Sequence, residues 1–307
     1  MKALIFGANG QDGYYLRNLL LREGLTVCGG SRTGGDIRID VSNAKDVRAV
    51  VKSFLPDYVF HLAATSSVDH EFLWENHGAI STGTLAVLDA VSCEVPAAKV
   101  LLVGSGLQFV NRGEPLDENA PLDFSSPYVV ARNHSLFAAR YFRRRGLRVY
   151  FAYLFNHDSP LRGSRHLNMK VAESAVRIAH GMEKSLAIGH LDAEKEFTFA
   201  GDVVSALWIL VRQDAVFECV VGSGITYRVR DWVQFCFQDV GLVAEEWVKG
   251  DERFARPFER LQSNPKVLRA LGWSPSVSFA ELGRMLMAEA RKRIVDGAAI
   301  VKVAKDF

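Results

Sequence analysis

Short apolar runs alternate with stretches of helical spacing over the first half of the chain. Lys2–Phe6, Leu25–Gly29, Asp57–Ala64, Lys99–Val103 and Arg148–Leu154 have the continuous apolarity of buried parallel strands. Between them, Tyr14, Leu16, Leu19 and Leu20 open a first helix. Ala44–Phe54, Thr82–Val91 and a long segment from Ser126 to Arg145 follow as helices, with Asp36–Asp40 a short strand or loop. This alternation predicts an α/β protein built on a doubly wound parallel sheet. Beyond Asn156 the rhythm breaks. Helices are expected at Asn168–Gly181, Gly201–Arg212, Val229–Val240, Asn264–Leu271 and Phe279–Arg293, with a short strand near Leu186–Gly189. The chain therefore divides into a sheet domain over residues 1–155 and a smaller α/β lobe over 156–307, with segments near 190–230 returning to the sheet domain. The apolar tail Ile294–Phe307 is expected to pack on a neighbour or to fray.

The turn after the first strand adds chemistry to this pattern. Gly7, Gly10 and Gly13 stand at GxxGxxG spacing between a strand and a helix. That is where a Rossmann sheet lets a pyrophosphate approach the free N–H groups and positive dipole end of a helix. The second strand ends at Gly30-Ser31-Arg32 with no acid at the position that would hold a ribose 2′-hydroxyl. Arg32 suits a 2′-phosphate, so NADP is expected over NAD.

Composition narrows the class without redirecting it. The chain has 307 residues, 49% hydrophobic and 23% charged, with a net charge of +2, which argues against a nucleic-acid or membrane surface. Arg143-Arg144-Arg145 reads as a solvated helix end. The four cysteines, Cys28, Cys93, Cys219 and Cys236, are scattered and lack metal-ligand spacing, so no metal is expected. No apolar stretch reaches the length of a membrane span and the first strand begins at Lys2, so a cytoplasmic protein is expected.

Several motifs, in order along nearly the whole chain, resemble the extended short-chain dehydrogenase/reductases and specifically the GDP-mannose 4,6-dehydratases. Gln11-Asp12-Gly13 matches the family's GQDG, His61-Leu62-Ala63-Ala64 resembles NLAA, and Gly83-Thr84-Leu85 resembles GTL. Ser126-Pro127-Tyr128 matches SPY, and Phe155-Asn156-His157-Asp158-Ser159-Pro160 is close to FNHESP. Leu191-Asp192-Ala193 with Ala200-Gly201-Asp202 resembles LDA and AGD, and Arg256-Pro257 with Glu259 resembles RPxE. The resemblance implies that the sheet holds NADP through Gly7, Gly10, Gln11, Asp12, Gly13, Arg32, Asp40, Leu62, Ala63, Ala64, Tyr128 and Arg132. It also implies a C-terminal lobe that grips a GDP-sugar, or another nucleotide-diphosphate sugar. Asn156 would bind the sugar or its phosphate, Arg256 the pyrophosphate and Glu259 the nucleotide ribose, with Lys170 and Arg230 as further contacts.

The family reaction, as the resemblance implies it, uses a tyrosine to take the sugar 4-OH proton while hydride leaves C4. A lysine cation and a Ser or Thr hydroxyl assist, and a glutamate removes the C5 proton. Tyr128 stands at the tyrosine position, but the lysine position holds Arg132, one helical turn away. The family's STSE is Ser105-Gly106-Leu107-Gln108, with Gly106 at the hydroxyl position and Gln108 at the base, and an amide is not a base near neutral pH. Tyr128, Arg132, Ser105 and Gln108 are the candidate catalytic set. Complete 4,6-dehydration is therefore not expected, and redox at C4 of a nucleotide-activated hexose is. Two alternatives remain: a catalytically silent paralogue that binds NADP and nucleotide sugar, and a 4-keto-sugar reductase or epimerase. The triple reversion Gln108→Glu, Gly106→Thr and Arg132→Lys is expected to raise dehydration. Thr33 replaces a second arginine, and the shortened segment after it removes a region the family uses in tetramers. A homodimer through the Tyr128 helix is expected instead.

Overall fold

The computed structural model describes residues 1–251 and 258–296. Seven parallel strands form the central sheet: β1 (Lys2–Phe6), β2 (Thr26–Ser31), β3 (Ile37–Arg38), β4 (Tyr58–His61), β5 (Lys99–Ser105), β6 (Arg148–Leu154) and β7 (Glu218–Val221). Their spatial order is β7-β6-β5-β4-β1-β2-β3. Phe6 pairs with Gly30 on one side and His61 on the other, so the order reverses at β1, and a crevice opens beyond the carboxyl ends of β1 and β4.

The main helices are α1 (Gln11–Arg22), α2 (Ala44–Phe54), α3 (Gly83–Glu94), α4 (Pro127–Arg144), α5 (Leu167–Ala179), α6 (Ala200–Arg212), α7 (Val229–Asp239) and α8 (Phe279–Arg291). Local chemistry fixes several of their starts. Asn43 caps α2 through Lys45 N at 3.2 Å, Ser126 caps α4 with Pro127 in its first turn, and Ser278 and Glu281 close a capping box on α8.

Both sheet faces are covered, which explains why the strands are apolar throughout rather than alternating. Val47, Val51, Val87, Val91, Leu136 and Ala139 from α2, α3 and α4 cover one face. Leu16, Leu20, Val203, Leu207 and Val211 from α1 and α6 cover the other. A separate apolar cluster joins α5, α7 and α8 through Met169, Val176, Trp232, Phe237, Leu282 and Leu286. α6 and β7 belong to the sheet although they follow the first lobe helix in sequence. The Lys266–Ala270 helix does too: Leu268 and Trp273 pack with Trp208 in the sheet core rather than in the lobe. Asp202 joins the two parts, accepting from Ser276 N and Val277 N at 3.0 Å each, so the acid of the AGD run is a structural cap.

Candidate functional site

At the carboxyl end of β1 the chain turns through Gly7 (φ +90°), whose amide donates to Gly30 O at 2.9 Å. A Cβ on Gly7 would lie 2.6 Å from Ala63 N, and one on Gly13 would lie 2.4 Å from Gly7 O. Both neighbours are backbone, so the turn itself demands these glycines. Gly10 differs, since the nearest atom to a Cβ there is Gly7 O at an ordinary 3.5 Å. It is the N-cap of α1, and no side chain caps that helix, so first-turn N–H groups remain available at the cleft.

A second pocket lies on the far side of the same turn, lined by Asn9, Ser31, Arg32, Thr33 and Asp40, with Leu62, Ala63 and Ala64 opposite. Asp36, the other acid on this segment, is engaged elsewhere. It accepts from Gly29 N at 2.7 Å and from Arg17 Nη2 at 3.0 Å, and the Arg17 bonds chiefly hold its carboxyl below the usual range. Arg32 thus meets the pocket without a competing carboxylate from Asp36. Asp40 accepts from Ser42 N at 2.9 Å and Ser42 Oγ at 2.7 Å, which lower its pKa.

The cleft continues past the glycine turn to Tyr128, at the start of α4, to Ser105 at the end of β5 and to Gly106 and Leu107 after it. The Arg132 guanidinium carbon sits 5.1 Å from the Tyr128 ring centroid, and Nη1 donates to Val103 O. The side chain is buried and its Nε has no partner among the described residues. Beside it, burial holds His61 neutral, with a pKa pushed down to about 3, and Arg132 adds to the effect.

Gln108 does not join this group. It is fully buried behind the loop: Oε1 accepts from Ser105 N at 2.8 Å and Nε2 donates to Asn133 Oδ1 at 3.1 Å. Ser105 and Gln108 close a capping box around the short turn Gly106–Gln108, and that local bonding draws residue 108 away from the cleft. Gly106 has no room for a side chain, because a Cβ would meet the Phe155 ring at 2.9 Å. The expectation that reverting these two positions rebuilds a dehydratase site is therefore corrected. One replacement would face the interior and the other would strike a ring.

The GQDG and FNHDSP runs meet across the cleft. His157 Nε2 lies 3.0 and 3.1 Å from the two Asp12 oxygens, and Nδ1 lies 2.8 Å from Phe155 O. Both ring nitrogens face acceptors, so the geometry calls for an imidazolium. Burial alone would lower the His157 pKa and raise that of Asp12. Their mutual charge and hydrogen bonding outweigh it, leaving His157 raised and Asp12 lowered. Ser159 Oγ donates to Gln11 Oε1 at 2.8 Å, a second tie between the runs. Asp12 is the one carboxylate among the described residues lining the cleft, and His157 already engages it.

Asn156 lines both this cleft and an adjoining pocket that also holds Arg165, Lys170 and Lys195. No carboxylate lines that pocket among the described residues. Lys195 donates to Asn168 Oδ1 at 2.9 Å, and burial pushes its pKa down to about 8. Lys170 Nζ lies 3.4 Å from Ala187 O. Arg230 is held away in a pair with Asp192, with Nη2–Oδ1 at 3.0 Å. Glu259 is exposed in a neighbouring pocket with Asp192, Glu194 and Arg260. Arg256 lies outside the described residues. Sequence motifs alone assign no role to His157, Arg162, Arg165 or Lys195. His157 stands inside the FNHDSP run and Lys195 just after the LDA run, and that placement is the signal that could have drawn attention to them.

Fold and cleft together are those of the extended short-chain dehydrogenase/reductases. Within that class the chain belongs to the GDP-mannose 4,6 dehydratase family, whose sequence model matches residues 4–286. It is 30% identical over 320 residues to GDP-mannose 4,6 dehydratase 2 of Arabidopsis thaliana, covering 94% of this chain and 86% of that one. Among solved structures it is similar to RMD from Pseudomonas aeruginosa complexed with NADPH (TM-score 0.85, 21% identity, covering 95% of this chain and 99% of that one). It also resembles the Thermus thermophilus UDP-glucose 4-epimerase complex with NAD (TM-score 0.81, 23% identity, covering 95% and 99%).

Proposed function

We propose that this chain is an NADP-dependent enzyme acting at C4 of a nucleotide-diphosphate hexose, without a complete 4,6-dehydration. The observation that carries this reading is the composition of the cleft: Tyr128 is present, and no unengaged carboxylate lines it among the described residues. The cofactor fits the residues present. A Cβ on Gly10, which lines the cleft, would meet no protein atom closer than 3.5 Å and would occupy the open approach to the turn, the N-terminus of α1 is uncapped, and Arg32 lines the adjoining pocket. When bound, the nicotinamide supplies the hydride acceptor or donor. Tyr128 moves the proton at the sugar O4, with the Arg132 cation one turn away and 5.1 Å from its ring centroid. Asn156 and the adjoining pocket with Arg165, Lys170 and Lys195, which no carboxylate lines among the described residues, suit a diphosphate. GDP is the favoured nucleotide by family membership.

Dehydration needs a base at C5, and Gln108 is locked behind the loop while Gly106 offers no hydroxyl. General acid–base groups contribute typically about 10²–10⁴-fold each, so the missing base is decisive for that step; reduction or oxidation at C4 needs no C5 base, and the missing hydroxyl slows it without removing Tyr128. The Arg132–Val103 bond favours a second reading, a silent paralogue, because it draws the cation toward the sheet rather than toward a ligand.

The test is to incubate the purified protein with NADP and GDP-mannose, and separately with NADPH and a GDP-4-keto-6-deoxyhexose, following both sugars by mass spectrometry. Gain of two hydrogens by the keto sugar is expected, with GDP-mannose losing no water. Loss of water would overturn the reading. Binding of both ligands with no turnover would favour the silent paralogue.

A further inference from the structure

The wall of the cleft that carries His157 and Arg162 is held from outside by the C-terminal end of the described chain. Arg293, in the helical turn Lys292–Asp296 that continues α8, lies outside the cleft. Its Nη2 donates to Pro160 O at 2.6 Å and its Nη1 to Arg162 O at 3.0 Å. The guanidinium is itself fixed on two sides, by Glu173 Oε1 at 3.2 Å and Glu289 Oε1 at 2.8 Å. Glu173 is almost wholly buried and also accepts from Ser164 Oγ at 2.8 Å, so α5 grips the same segment.

Inside the segment the bonds run toward the glycine turn. Arg162 Nη2 donates to His157 O at 2.7 Å and Arg162 N to Ser159 O at 3.0 Å, while His157 and Ser159 bond Asp12 and Gln11. Arg162 and His157 both line the cleft. An unbroken series of hydrogen bonds therefore connects Arg293 to the first turn of α1. Two carbonyls on one short segment, both turned to a single planar cation, form a fork that an ammonium cannot reproduce.

We propose that Arg293 is a positioning residue for the cofactor cleft, setting the 157–164 segment so that Arg162 and His157 meet the dinucleotide in register with the glycine turn. The inference rests on the cofactor reading above and goes beyond it by giving the C-terminal helical turn a part in that binding.

The experiment measures NADPH affinity by fluorescence titration of the full chain. The variants are Arg293→Ala, Arg293→Lys, Arg162→Ala, the Arg293→Ala/Arg162→Ala double variant and Glu289→Gln, each with a thermal melt. Arg293→Ala is expected to weaken NADPH binding roughly tenfold, the scale of misplacing one charge-assisted hydrogen bond to the ligand. Arg293→Lys should recover only part of it, and Glu289→Gln, which keeps an acceptor for Arg293 Nε but removes its charge, should weaken binding by less than Arg293→Ala. Because Arg293 acts through the segment, its removal should cost much less when Arg162 is already alanine. A merely structural role would give additive losses, and additivity would overturn the inference. Wild-type affinity in Arg293→Ala would overturn it too. Should Arg293→Ala fail to fold, Arg293→Lys decides in the same way, unchanged affinity counting against the proposal. A wild type that binds no NADPH would instead sink the cofactor reading itself, a result distinguishable from the others before any variant is measured.

Discussion

Gln108 shows how a single side chain can be misjudged from its column in a motif. Its bonds to Ser105 N and Asn133 fill the donor and acceptor ends of the amide, and Asn133 Nδ2 is itself engaged by Asp123 O at 2.7 Å. Gln108→Glu would keep the first bond and set a buried carboxylate against Asn133 Oδ1, which cannot turn without losing Asp123. We expect this variant to lose about 1–3 kcal/mol in urea unfolding and to release no water from GDP-mannose. Measurable dehydration would mean that the loop reopens and the capping argument is wrong. The His157–Asp12 pair makes a second prediction at this scale. A histidine with a raised folded pKa contributes fully below its unfolded value of 6.5, and that contribution fades as pH rises through the folded pKa. An aspartate with a lowered pKa contributes fully above 3.8, and that contribution fades as pH falls through the folded pKa. The melting-temperature gap between wild type and Asp12→Asn should be widest between pH 3.8 and 6.5 and should narrow at alkaline pH. A gap that grows with pH would show that the ring is neutral.

The glycine turn is the element where sequence and structure agree most closely, and it supports a test that separates folding from binding. Gly13→Ala places a methyl against Gly7 O and Ala8 Cα, both backbone, so stability and NADPH affinity should fall together, the latter by tenfold or more at about 1–3 kcal/mol of strain. Gly10→Ala meets nothing closer than 3.5 Å at an ordinary φ of −75°. Its melting point should hold while NADPH affinity drops, because only a ligand approaching that backbone would feel the methyl. Retained affinity in Gly10→Ala would place the pyrophosphate elsewhere. Spacing and apolarity made β1, β2, β5, β6, α2 and α4 legible, since these are local properties of the chain. What was not legible depends on distant partners. The strand read as Asp57–Ala64 stops at His61, because Leu62–Ala64 leave the sheet to line the two pockets. The Lys266–Ala270 helix carries the same amphipathic signal whether it packs on the lobe or, as found, on Trp208. His157 meets an acid 145 residues away, which no local pattern encodes. Lys195 lies in a three-residue strand, too short for periodicity to reveal its direction.

At the scale of the whole molecule, α4 presents an outer face that the described chain does not cover. Val130, Phe137 and Tyr141 are 50%, 54% and 56% exposed, at spacings of seven and four that keep them on one stripe of an 18-residue helix. Leu85, on the adjacent α3, is 43% exposed. Single exposed apolar side chains need no explanation, but three on one stripe of a helix whose other face is core, with exposed His134 between them, do. A second copy of the chain, meeting this one across a two-fold axis through α3 and α4, would bury both stripes in a self-complementary interface. The assembly would also matter to the chemistry, because α4 carries Tyr128 in its first turn and Arg132 one turn later. Sedimentation of the purified protein should therefore report twice the 34.0 kDa chain mass. Phe137→Glu should bring it to the monomer, because a two-fold axis would set the two introduced carboxylates in one apolar interface. Turnover of the keto sugar should fall in that monomer, while NADPH affinity, which the proposed cofactor reading assigns to the glycine turn and Arg32, should change little. A wild type that sediments as a monomer would remove the dimer and leave the stripe without an occupant. A dimer indifferent to Phe137→Glu would place the interface on another face of the molecule.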